Sequence, residues 1–127
     1  EMSRFMLSIK AQTSKHDEIS TFIFDEIDAG ISGNVANIVA EKFAKIAVNT
    51  QIIAITHLPQ ISAMADNNLL IEKHETDIKT TTSVKVLDKN DKVQEIVRLV
   101  GGNSDSEIAV RHANEVINWA NSFKKSL

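Results

Sequence analysis

The chain has no cysteine. That excludes a disulfide scaffold and a thiolate zinc site, and it suits a reducing compartment. Nor is there an excess of positive charge: 14 lysines and arginines stand against 17 aspartates and glutamates, a net charge of −3. A whole-chain basic footprint for nucleic acid or anionic membrane is thereby excluded, which leaves open a local basic surface or one on a part of the protein outside this chain. No apolar run reaches the roughly 20 residues of a membrane span, and no signal peptide is legible. Only four glycines occur, Gly30, Gly33, Gly101 and Gly102. None lies in a G-x-x-x-x-G-K-[ST] sequence, so the loop that cradles phosphates through backbone N–H groups is missing. No internal repeat, low-complexity tract or linker interrupts the chain. It opens at Glu1, directly in a helical pattern, and is expected to be a segment of a longer protein.

What is present suits a folded domain or part of one: 127 residues, 43% apolar and 24% charged. Met2, Phe5, Met6 and Ile9 share one face of a helix over residues 2–12. Residues 20–24 read as a buried strand, and Gly30-Ile31-Ser32-Gly33 as a turn in which Ser32 caps the next helix. That helix, residues 34–47, is expected to bury Val35, Ile38, Val39, Phe43 and Ile46. A second apolar strand spans 51–56. Strand, helix and strand make a βαβ unit, so the two strands should be parallel and should end on the same edge.

Pro59 sits where a short helix starts, continuing through 61–65. Residues 69–73 and 80–87 are expected to form an antiparallel strand pair, with Thr82, Val84 and Val86 on one side. Lys89-Asn90-Asp91 reads as a turn, followed by a helix over 93–100 that Gly101-Gly102 stops. Ser104 or Asp105 caps a last helix running to Phe123, with Ala109, Ala113, Val116, Ile117, Ala120 and Phe123 at helical spacing.

The chemistry collects on one edge. The run Phe22-Ile23-Phe24 stops at the adjacent carboxylates Asp25 and Glu26, and the second strand delivers Thr56 and His57 beside them. Buried strands that carry acids to their carboxyl ends are how open α/β sheets place a metal ion next to a phosphate. In that reading Asp25 holds Mg²⁺, which takes one or two carboxylates plus substrate phosphates, and Glu26 orients or deprotonates a water. His57 is placed to meet a terminal phosphate or its attacking water. The plainer reading makes the acids a polar strand end and a helix cap. His16, His74 and His112 lack such a context and read as surface or structural residues.

Taken in order, these strings resemble the SMC class of ATP-binding-cassette ATPases, and within it the RecN family. The likeness is carried by residues 1–7, by residues 21–33 with the string Asp-Glu-Ile-Asp-Ala-Gly-Ile-Ser-Gly, and by Thr56-His57-Leu58-Pro59-Gln60. Softer matches are Leu69-Leu70-Ile71, Thr80-Thr81-Thr82 and Leu99-Val100-Gly101-Gly102. The resemblance implies a P-loop NTPase-like fold, of which residues 1–127 are the C-terminal lobe of a head: a mainly parallel sheet flanked by helices, then an antiparallel strand pair. It implies that Asp25 and Glu26 are Walker B and its catalytic glutamate, that His57 is the switch histidine, and that Asp28-Ala29-Gly30 is the D-loop, with Asp28 facing a partner head. Glu1, Ser3 and Arg4 correspond to the end of the signature motif. Met2 stands there for the family's leucine, and the Ser-Gly-Gly before it is absent.

Also implied are ATP and Mg²⁺ as ligands, the N-terminal half of the same head and a second head as partners, and DNA contacted through the complete protein. The setting implied is double-strand-break repair and recombination in a bacterial, nucleoid-associated cytoplasm, with no membrane partner. The Walker A half is missing, so the segment alone is expected to be inactive and to hold ATP weakly. Two other readings remain open on the residues: a Toprim-like metal nuclease using Glu26 and Asp28, and a non-catalytic interaction module.

Overall fold

The computed structural model describes residues 20–25, 27–75 and 79–127. The expected first helix, Glu1, Ser3, Arg4 and Glu26 lie outside them. The described architecture is mixed α/β. Strand β1 is Thr21–Phe24, helix α1 Asn34–Ala47, strand β2 Gln51–Ala54 and helix α2 Pro59–Met64. The hairpin strands β3 (Leu69–Glu75) and β4 (Thr80–Val86) follow, then helices α3 (Lys89–Leu99) and α4 (Glu107–Lys125).

The βαβ expectation holds. β1 and β2 pair in parallel, with Thr21 opposite Gln51 and Phe24 opposite Ala54. The Ile55 N–H donates to the Phe24 carbonyl at 2.9 Å, carrying the ladder one step past β2. Alternation along the pair sends Phe22, Phe24, Ile52 and Ala54 inward and leaves Ile23 and Ile53 outward. α1 covers the inner face, where the Phe24 and Phe43 rings sit 4.9 Å apart, centroid to centroid. Its buried stripe is Ala36, Val39, Ala40, Phe43, Ala44 and Ile46. Val35 and Ile38 are outside that stripe, 53% and 46% exposed, contrary to the spacing argument. The stripe is instead turned toward the alanines at 36, 40 and 44, which are buried where Val35 and Ile38 were expected.

α2 lies between α1 and α4, and α3 packs against α2 and α4. Ile96 and Val97 of α3 and Ala113 and Ala120 of α4 close this second part of the core. β3 and β4 form a separate antiparallel hairpin, in register from Leu69↔Val86 to Glu75↔Thr80. Nearly all of its residues are exposed.

Three local expectations are corrected. Gly33, at φ 55°, occupies the cap position of α1 in place of Ser32, and no side chain caps that helix. Lys89, Asn90 and Asp91 are the first turn of α3 and not a separate turn, because the Asp88 carboxylate accepts from the N–H groups of Asn90 and Asp91, each at 2.8 Å. Ser106, not Ser104 or Asp105, caps α4, accepting from the Ala109 N–H at 3.4 Å.

Candidate functional site

The carboxyl ends of β1 and β2 meet as the sequence argument requires. Asp25 follows β1 directly and is exposed. The chain then folds back on itself. Ile27 and Ile31 are almost completely buried, at 1% and 6% exposed, and pin both ends of a turn. The Ile31 N–H donates to the Asp28 carbonyl at 3.0 Å. Gly30, third in this turn, has φ 69°, the left-handed region that glycine enters without steric cost.

This turn carries Asp28 inward. The side chain expected to face a partner head is 3% exposed and is directed at the end of β2. Its Oδ2 accepts from the Thr56 hydroxyl at 2.6 Å and from the His57 backbone N–H at 2.7 Å. His57 Nδ1 lies 3.1 Å from the same oxygen. Thr56 Oγ1 in turn accepts from the Leu58 N–H at 3.0 Å. Leu58 is the cap residue of α2, so one hydrogen-bonded chain joins the ends of both strands to the next helix.

Electrostatics favour the ionised carboxylate. Burial pushes the Asp28 carboxyl up, but donation from Thr56, from the His57 N–H and from its own backbone N–H, with the attraction of His57, outweighs it. The net displacement is downward, so Asp28 is a fixed negative charge. The His57 side chain is 72% exposed, with Nδ1 turned to Asp28.

Of the residues singled out in the sequence, the structure brings Asp28, Thr56 and His57 together and sets Asp25 on the same edge. It does not describe Glu26, Glu1, Ser3 or Arg4. The residue whose part was missed is Thr56. The available signal was a hydroxyl at the end of an apolar strand, one residue before the histidine and level with an acid on the neighbouring strand. Among the described residues, no three histidine, aspartate or glutamate side chains converge on one metal position. The donor set at this edge fits a hard cation held by one carboxylate with its other ligands from substrate and water, as Mg²⁺ prefers. His74 and His112 lie elsewhere, beside Ser83 and Glu115.

The fold and the edge together define an α/β segment in which a parallel strand pair presents an acid and an imidazole side by side. No family model matches the chain. Individual proteins do: it is 45% identical over 124 residues to the DNA repair protein RecN of Bacillus subtilis, covering 98% of this chain and 22% of that one. It is 44% identical to the DNA repair protein RecN of Halalkalibacterium halodurans over the same share, and 39% identical to that of Streptomyces coelicolor over 94% of this chain. Identity at this level along nearly the whole chain places it with the RecN proteins. It spans about a fifth of the length of these curated relatives.

Proposed function

We propose that this chain is the hydrolytic half of an SMC-class ATP-binding-cassette head, working within a longer protein in DNA double-strand-break repair and recombination. The observation that carries the reading is the shared edge: β1 and β2 run parallel, so the residues that follow them, Asp25 and His57 among them, leave the sheet at the same edge. The RecN similarity supplies the repair setting, since the relatives are named for it. Asp25 holds Mg²⁺, Glu26 positions and deprotonates the attacking water, and His57 senses the terminal phosphate. The metal, when bound, neutralises charge on the phosphates. Glu1, Ser3 and Arg4 belong to the signature end that meets nucleotide across a head–head interface.

The phosphate cradle comes from the N-terminal half of the same head, because the 127 residues contain no P-loop. A second head and DNA, contacted through the complete protein, are the remaining partners. The Toprim-like reading is disfavoured by one observation: its acidic pair needs Asp28, whose Oδ2 is already taken by Thr56 and His57.

Calorimetric titration with MgATP tests the proposal. The complete protein should bind with micromolar affinity, and this segment alone should show no saturable binding. Tight binding by the segment, or none by the complete protein, would remove the half-head assignment and favour an interaction module.

A further inference from the structure

Asp28 has no catalytic duty in the function proposed above, yet among the described residues of the edge it is buried and closely held. It is 3% exposed, and a single oxygen faces three donor positions at 2.6, 2.7 and 3.1 Å. Two of those positions fix backbone and hydroxyl. The third is a ring nitrogen, and that contact goes beyond stapling two strands together.

We propose that Asp28 is the positioning residue of His57, holding the imidazole through Nδ1 so that Nε2 is the nitrogen offered to the terminal phosphate. The inference rests on the reading of His57 as a phosphate sensor. Its physical basis is that a histidine's free nitrogen is decided by the hydrogen bond its other nitrogen makes. A carboxylate accepts and never donates, so a hydrogen bond across this 3.1 Å contact requires the proton on Nδ1. Nε2 then holds a lone pair in the neutral ring and a donor N–H in the imidazolium. With a proton on both nitrogens the ring donates to Asp28 through Nδ1 and to an anionic phosphate through Nε2, the arrangement in which an aspartate backs a catalytic histidine elsewhere.

The backbone contact sharpens the placement. The His57 N–H and Nδ1 both address Oδ2, so main chain and ring are anchored to one atom. The Leu58 N–H and the Thr56 hydroxyl form a donor relay ending on that atom as well. The ring is therefore referenced to β1, the strand that carries Asp25. A change in the turn at 27–31 would move His57 relative to the metal position without touching either residue.

The test has two arms on the complete protein. In the first, histidine ring nitrogens are labelled with ¹⁵N, and the His57 signal is assigned by its loss in His57→Gln. Wild type should show a protonated Nδ1, and Asp28→Asn should lose that preference. A wild-type ring protonated only on Nε2 would overturn the proposal, and this readout is made on the wild-type protein, with His57→Gln used only for assignment. In the second arm, ATP turnover is measured for Asp28→Asn, His57→Ala and the double variant. Each single change should lower kcat by roughly tenfold or more at little cost in KM, and the double should be no slower than His57→Ala. Losses that multiply in the double variant would show Asp28 acting independently of His57 and would also overturn it. Normal turnover of His57→Ala with the expected ring signals would sink the sensor reading alone, leaving Asp28's hold on the ring established.

Discussion

Asp28 and Lys92 are two residues whose ionisation is tied to the fold. Asp28 has a carboxyl pKa held below its ordinary value of 3.8. A carboxylate lowered on folding contributes stability that is present above the unfolded value and is lost as pH falls through the folded one. Denaturant unfolding should therefore show a loss of stability below about pH 4 that is smaller in Asp28→Asn. At pH 7 the same variant should be less stable by about 1.5–3 kcal/mol, the usual worth of hydrogen bonds to a charged group.

Lys92 is the opposite case. Its Nζ donates to the Ala65 carbonyl at 2.7 Å while half-buried. Burial, and next the charge of Lys124, bring its pKa down to about 8, against the attraction of Asp66. The folded state then sheds a proton that the unfolded state keeps until near 10.5, so stability should rise between those pH values. Lys92→Met should flatten that rise, read as the pH dependence of the unfolding midpoint.

At the scale of elements, two junctions set the order of the helices. The Asp88 cap starts α3, and Asp88→Ala should cost about 1 kcal/mol, seen as a lower Tm. Gly102 lets α3 and α4 approach: a Cβ there would run into the Ala109 side chain and lie 3.3 Å from Val97 Cγ1. Gly102→Ala should destabilise by about 1–3 kcal/mol, because the two helices must separate.

The elements the sequence revealed are those with an apolar period. The bounds of α1 were legible, though not its cap or its whole buried face, and the βαβ unit and the hairpin followed from continuous and alternating apolar runs. Where a helix begins in polar residues the period is silent: α3 reads as starting at Val93 because its first turn, Lys89 to Asp91, is wholly polar. Three consecutive capping residues, Ser104, Asp105 and Ser106, cannot be ranked by type alone. The shared edge was likewise legible, since parallel strands must end together. The inward turn of Asp28 was not. Its cause is tertiary: Ile27 and Ile31 are drawn into the core on either side of it, which leaves its carboxylate facing Thr56 and His57.

At the scale of the whole molecule, two apolar faces stand exposed among the described residues. Ile23, Ile53 and Ile55 form one on the outer side of the parallel pair, at 71%, 46% and 55% exposed. Leu69, Ile71, Val84 and Val86 form another on the hairpin, each more than 60% exposed. Parallel sheets are ordinarily buried on both faces, and exposed apolar patches drive association. The isolated segment should therefore self-associate in sedimentation velocity, and Ile23→Lys with Ile71→Lys should shift it toward monomer.

The central claim is that this segment supplies the hydrolytic groups of an ATPase head whose phosphate cradle lies elsewhere in the protein. It is tested most directly by single-turnover ATP hydrolysis in the complete protein carrying Glu26→Gln. The account predicts that nucleotide still binds while the rate of hydrolysis falls by about 10²-fold or more. Turnover at the wild-type rate would contradict it.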